Sequence, residues 1–144
     1  MKTLPFILFI GLFFVSCTKT SVDRLPQEPI PSIDIAGTWQ WVGSTGGWGG
    51  EYGPSADSVV KISLNSDSSF IVTLNNSIRY SGHFSLQTHP FDSTLHLLQC
   101  DRHFSIDRLN FHEQEVITYF QNDTCRFLDY GITDGDSHLF KRIR

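Results

Sequence analysis

The chain has no apolar run long enough to cross a bilayer. Residues 4–15 form a short apolar stretch, well below the roughly 20 residues that a membrane helix needs. Basic charge is scarce as well: 11 Lys and Arg stand against 15 Asp and Glu, for a net charge of −4. Phosphate recognition requires a basic face, so nucleic acid is not the partner this composition suits. No helical stripe of useful length and no solenoid-period repeat is present. The motifs of common catalysts are missing too. No Gly-Lys-Ser/Thr closes a phosphate loop, and no Gly-X-Ser-X-Gly places a serine on a strained turn. Six histidines are present, but no pair has tight ligand spacing. His83, His96 and His103 read as outward-facing strand residues. Phe111-His112-Glu113-Gln114-Glu115-Val116 begins like a zinc-protease motif and then lacks the second histidine. The carboxylates of residues 129–136 do not follow the spacing of a calcium-binding helix-loop-helix, and they read as an acidic turn. The sequence therefore points to no catalytic residues, no metal site, no cofactor and no enzyme.

What is present begins with a basic start, Met1-Lys2-Thr3, followed by the apolar stretch, which is the layout of a secretory signal. Phe14-Val15-Ser16-Cys17 resembles the bacterial lipobox, with Phe14 in the place usually held by leucine. The resemblance implies cleavage before Cys17 and acylation of that cysteine. Each buried methylene contributes about 0.8 kcal/mol, so several acyl chains anchor a protein stably where one is marginal. Thr18, in place of Asp, implies an outer-membrane destination with the protein facing the periplasm. The expected organisation is a signal peptide over residues 1–16, a lipidated Cys17 with a tether over residues 17–35, and a folded domain over residues 36–144. Pro26, Pro29 and Pro31 keep the tether extended. With Cys17 lipidated, Cys100 and Cys125 remain as an even pair, which an oxidising compartment would join as a disulfide. Two buried thiols on different strands are the alternative.

From Gly37 onward the pattern has period two, the mark of half-buried strands. Trp39 and Trp41 share one face. Val60, Ile62 and Leu64 alternate with polar neighbours, as do Phe70, Val72 and Leu74. The clearest stretch is Ile78, Tyr80, Gly82, Phe84 and Leu86. Further strands are expected over residues 94–99, 103–106, 115–121 and 137–143, with a bulge or turn in residues 107–112. Asn75-Asn76 and Asn122-Asp123 read as turns. Gly37-Thr38-Trp39 resembles the Gly-X-Trp that opens the first strand of lipocalins, and residues 35–143 resemble the small lipocalin-like domains of bacterial envelope lipoproteins. The fold expected is all-β, an antiparallel up-and-down eight-stranded barrel. In that family the tryptophan packs beneath a basic residue near the chain end, which implies structural roles for Gly37 and Trp39 and a partner in Arg142 or Arg144.

An eight-stranded barrel is just wide enough to be filled by its own side chains or to hold one small ligand. The inward set includes Trp39, Trp41, Ile62, Leu64, Phe70, Val72, Leu74, Tyr80, Phe84, Leu86, Leu95 and Leu97, with Gly82 as a gap. The Gly-rich loop of residues 43–54 would place Trp48 and Tyr52 at the barrel mouth. A small hydrophobic ligand would then meet Trp41, Trp48, Tyr52, Phe70, Tyr80 and Phe84. The alternative is a protein-interaction or inhibitor module that uses this loop and keeps a filled core. The protein partner in that case is not named by the sequence.

Overall fold

A computed structural model describes residues 33–46, 50–132 and 134–144. The signal segment, Cys17, nearly all of the tether and Trp48 lie outside the described residues. All regular structure among the described residues is β: β1 (Gly37–Gly46), β2 (Glu51–Tyr52), β3 (Val60–Leu64), β4 (Ser69–Leu74), β5 (Ser77–Thr88), β6 (His96–Cys100), β7 (Phe104–Ile106), β8 (Leu109–Phe111), β9 (Gln114–Gln121), β10 (Thr124–Asp129) and β11 (Asp136–Ile143). The main sheet runs β11-β10-β9-β6-β5-β4-β3-β1, and β1 pairs back onto β11. Eight antiparallel strands thus close into a barrel without a free edge. Strand β2 is a short flap on the far half of β1, pairing Ser44 with Tyr52 and Thr45 with Glu51.

Local chemistry sets the turns. Asn75 and Asn76 have φ of 51° and 64°, and Asn122 and Asp123 have φ of 51° and 59°. Two consecutive left-handed residues are what a two-residue hairpin needs, and Asn and Asp tolerate that conformation best among residues with a side chain. These two turns join β4 to β5 and β9 to β10. Gly37, at φ 143°, begins β1 where the Arg142 side chain passes close by, 3.6 Å from the position a Cβ would take.

Three expectations about the wall are corrected. Of residues 103–106, Phe104–Ile106 form a strand, but it pairs only with β8 in a separate two-stranded sheet. The eighth wall strand is β10, which sequence patterning did not pick out because charged and apolar residues are mixed along it. The phase of β6 is also reversed. Leu98 and Cys100 face the core, while Leu97 and half-buried Leu95 belong to the outer side. Leu97-Leu98 offers an apolar residue to either face, so alternation could not fix the phase, and a one-residue shift exchanges the faces. His96 accordingly shares the inner phase of Leu98 and Cys100 instead of pointing outward.

The β7–β8 hairpin is the plug of the barrel. Phe104, Ile106, Leu109 and Phe111 are all buried. Phe104 and Phe111 stack with ring centroids 4.9 Å apart and planes within 10°. On one side Phe104 meets Phe70 of β4 at 6.0 Å and Tyr80 of β5 at 5.7 Å. On the other, Phe111 meets Phe127 of β10 at 5.4 Å and Phe140 of β11 at 6.2 Å. These strand pairs lie on opposite sides of the eight-stranded ring, so one aromatic stack spans the interior. The enclosed void left among Trp39, Ile62, Phe70, Phe104, Phe111 and Phe140 is about 10 Å³. That is the size of a single water at most. Gly82 is not a gap either, because the Phe70 ring and the Asp101 carboxylate occupy the space beside its Cα.

The opposite end is closed by Trp39. Its Nε1–H donates to the Ile35 carbonyl at 2.9 Å, and the Arg142 guanidinium carbon lies 4.6 Å from its ring centroid. Arg142 also donates to the Asp34 carbonyl at 2.6 Å. Such a cation–aromatic contact contributes about 0.5–2 kcal/mol. Ile35 is buried and Ile33 packs beside it, so the last residues assigned to the tether belong to the barrel.

Cys100 and Cys125 are free thiols, which corrects the disulfide expectation. The Cys100 N–H donates to the Glu113 carbonyl, whereas Cys125 is in register with Phe120. Those two positions are seven residues apart along the chain leading into and through β9, roughly 20 Å at strand rise. A disulfide needs Cα atoms within about 7 Å. Burial, the dominant cause, pushes both thiols up to about 12.

The plug carries a quantitative expectation. Phe111→Ala should lower the unfolding free energy by about 3–5 kcal/mol, because the removed ring leaves a cavity that two opposite walls cannot both collapse into. Equilibrium urea denaturation followed by tryptophan fluorescence measures this. A loss below about 1 kcal/mol would mean that the hairpin does not hold the barrel.

Candidate functional site

The unusual chemistry of this barrel lies above the aromatic plug, where polar side chains occupy inward positions. A bulge between Trp41 and Gly43 shifts the phase of β1. Without it, alternation from Trp39 and Trp41 would send Gly43 and Thr45 inward. With it, Ser44 turns inward, in register with His138 of β11. Re-aiming one side chain is a common consequence of a bulge. On β11, His138 shares the inward phase of Phe140. On β10, Asp129 shares the phase of Phe127 and Cys125. On β9, Glu115 shares the phase of Ile117. Asp129 and Glu115 are direct cross-strand partners.

These residues form a chain of contacts. Trp41 Nε1–H donates to Ser44 Oγ at 3.1 Å, and Ser44 Oγ lies 2.7 Å from His138 Nδ1. On the other edge of the imidazole, His138 Nε2 faces Asp129 Oδ1 at 3.5 Å. Asp129 Oδ2 accepts the Asp136 N–H at 2.9 Å, and His112 Nε2 stands 3.7 Å from it. Glu115 Oε1 accepts the His112 N–H at 2.9 Å. At the rim, the Tyr52 hydroxyl donates to Asp136 Oδ2 at 2.5 Å, and the Arg108 guanidinium carbon lies 5.7 Å from the Tyr52 ring centroid. His138 and Glu115 are fully buried, and Asp129 is 6% exposed.

Two carboxylates directly opposite on an inward face repel each other and lose hydration. Burial raises the Glu115 carboxyl to about 10, and the neighbouring Asp129 charge adds to the shift. Glu115 therefore carries a proton at neutral pH. Burial also pushes Asp129 upward, but the polar groups facing it, the His138 imidazole, the Asp136 backbone N–H and Glu115, outweigh it, and Asp129 stays below its ordinary range. Tyr52 is raised to about 12, by burial first and by its bond to Asp136 second.

Ser44, His138 and Asp129 follow the order of a hydrolase triad, but the arrangement does not present a nucleophile. Ser44 is 2% exposed, and its Oγ is held between the Trp41 indole and the imidazole. What the cluster offers is three buried polar atoms close together. Glu115 Oε2, Asp129 Oδ1 and His138 Nε2 are buried and have no hydrogen-bond partner. One ligand atom from each of these residues lies within 4.8 Å of the others.

The residues singled out by sequence are divided by the structure. Trp41 and Tyr52 meet edge to face at 6.3 Å, and both touch the polar cluster. Phe70 and Tyr80 gather around Phe104 of the plug, and the Tyr80 hydroxyl donates to the Ser105 carbonyl at 2.8 Å. Phe84 packs at the core margin, in register with Cys100. Trp41, Phe70, Tyr80 and Phe84 thus fill the interior together instead of lining a vacant cavity. His83, His96 and His103 do not converge. His83 sits by Asp101, and His103 bonds Asn110. Sequence reading missed Ser44, Glu115, Asp129 and His138. The available signal was polar residues at core phase on four strands.

No protein-family model matches the chain, and no curated protein or solved structure matches it.

The protonation state of Glu115 can be tested by stability. Its folded pKa is about 10 against 4.5 for the free group, so above the lower value the unfolded chain releases a proton that the folded chain retains. Stability from this residue is full below that lower value and falls as pH rises toward 10. In EDTA, the urea midpoint of the wild type should decline between about pH 5.5 and 8.5, and Glu115→Gln should flatten the decline. Identical slopes for the two proteins would show that Glu115 is ionised in the folded state.

Proposed function

We propose that this chain is a bacterial envelope lipoprotein, anchored by lipid on Cys17, whose lipocalin-like barrel serves as a protein-interaction module and not as a carrier of a hydrophobic molecule. The architecture itself, a closed eight-stranded antiparallel barrel, is compatible with lipocalin-like ligand binding. The carrying observation is the filled interior. A ligand pocket for a small molecule spans roughly 300–1,000 Å³, and the void here is about 10 Å³. The place a ligand would occupy belongs to Phe104 and Phe111. Support for the anchor comes from Phe14-Val15-Ser16-Cys17 and the proline-bearing segment after it. An outer-membrane, periplasm-facing location follows from the same resemblance.

One observation favours the rival reading of a hydrophobic-ligand carrier. The β7–β8 hairpin is hydrogen-bonded as a strand pair only within itself, so it can leave the interior without breaking a wall ladder. A ligand would then replace the Phe104–Phe111 stack.

Native mass spectrometry of the protein purified from membranes separates the two readings. The interaction module should give the mass of the acylated chain with no further adduct, and added brominated fatty acid should leave the emission of Trp39 and Trp41 unquenched. A stoichiometric hydrophobic adduct, or saturable quenching, would establish the carrier instead. The anchor has its own test: Cys17→Ser should abolish palmitate labelling and release the protein from the membrane fraction. Persistent labelling of that variant would remove the lipoprotein assignment.

A further inference from the structure

We propose that Glu115, Asp129 and His138 form a binding site for one small divalent transition-metal ion, of which zinc is the representative. Three neighbouring strands, β9, β10 and β11, each contribute one donor, and the three donor atoms lie within 4.8 Å of one another. Buried polar atoms in folded proteins nearly always have partners. Here Glu115 Oε2, Asp129 Oδ1 and His138 Nε2 are all without one, in the same place, on side chains shut off from water. A cation held between them would give all three a partner.

The surroundings fit that explanation. Ligating histidines usually donate their second ring N–H to an oxygen, which fixes the tautomer and turns the other nitrogen toward the metal. Ser44 Oγ stands 2.7 Å from His138 Nδ1 and is itself held by the Trp41 indole. Nδ1–H donating to Ser44 leaves Nε2 with its lone pair toward the centre. Charge fits as well: the two carboxylates make no ion pair with a lysine or arginine among the described residues. A divalent ion would neutralise both. Tetrahedral bonds of about 2.0–2.1 Å place ligand atoms roughly 3.3 Å apart. Nε2 and Oδ1 are already 3.5 Å apart, and the Glu115 donor lies within 4.8 Å of its two partners, so closing the set needs the Glu115 carboxylate to move inward.

The donor set selects the ion. Two oxygens and one imidazole nitrogen suit zinc and its transition-metal neighbours, whereas calcium takes six to eight oxygens. His112 gives a path inward, being partly exposed beside Asp129 Oδ2.

The test uses the full-length protein in detergent, stripped with EDTA, returned to chelator-free buffer and titrated with zinc sulfate at pH 7.5. Calorimetry should give one ion per chain, with a matching rise in melting temperature. Cobalt(II) should show the visible bands of a four-coordinate nitrogen and oxygen site. Glu115→Gln keeps the shape of the protonated acid and should fold, yet bind zinc at least about 100-fold more weakly. His103→Asn disrupts the exposed His103–His112 pair, whose ring centroids are 5.6 Å apart, and should leave the affinity unchanged. The proposal is overturned by no binding at equimolar zinc, by unchanged affinity in Glu115→Gln, or by loss of binding in His103→Asn. Each of these would leave a proton or a water as the occupant of the centre.

Discussion

Phe111 is the residue through which the two sides of the barrel hold each other apart and together. A closed ring of eight strands has a fixed diameter, and its interior must be filled to native density or the walls lose their contacts. The wall alone does not achieve this. Val60, Val72 and Gly82 are small at inward positions, and the space they leave goes to Phe70 and to the rings of the β7–β8 hairpin. Phe111 stacks on Phe104 at its face and meets Phe127 and Phe140 at its edge. Edge-to-face and offset contacts of this kind contribute about 0.5–1.5 kcal/mol each beyond the area they bury. An excursion of the chain between two wall strands thus supplies the centre of the core.

The polar cluster depends on that plug. The Phe111 ring lies 6.0 Å from the His138 ring and forms the floor beneath the carboxylates. With water excluded, charge becomes expensive and interactions between charges become strong. Glu115 keeps its proton for this reason, and Asp129 keeps its charge only because donors surround it. The same two acids on an outer face would both be ionised. Apolar packing therefore sets the protonation state of the layer above it.

The fold was readable where one face of a strand is uniformly apolar. β3 follows strict alternation and β1, β4 and β5 follow it on either side of a register shift, and a closed all-β barrel follows from their number and spacing. It was not readable where both faces have apolar residues or where a polar residue faces in. Leu97-Leu98 hides the phase of β6. Phe104 and Ile106 alternate as wall residues would, Leu109 and Phe111 fall out of phase with them, and nothing local says that both strands lie inside the barrel. The polar site is the harder case. Asp129 and Asp136 look like an acidic turn, and Glu115 looks like part of a failed motif, because their meaning depends on cross-strand register. Ser44 faces His138 only through a bulge at Val42, and no residue there announces a bulge. Alternation along a strand is local information, whereas the Ser44–His138 pair spans 94 positions.

That separation points to what the cluster contributes to the fold itself. The β1–β11 seam is where the barrel closes, and it joins the ends of the domain. Apolar side chains oppose a one-residue slip of the seam, because it would carry buried Trp39 and Trp41 to the outer face. Polar partners do not tolerate it either. A one-residue slip would turn Gly43 or Thr45 inward opposite His138 and leave Nδ1 buried with no Ser44 to meet it. Leaving such a group unpartnered costs about 1–3 kcal/mol, a sizeable part of the stability of a domain this small. A slipped seam would also move His138 away from Asp129 Oδ1, and that carboxylate would lose its nearest imidazole. The penalty of an unpartnered Nδ1 falls on a slipped register and not on the right one. The buried cluster therefore lowers the gross stability of the barrel while selecting the closure in which its three unpartnered atoms converge.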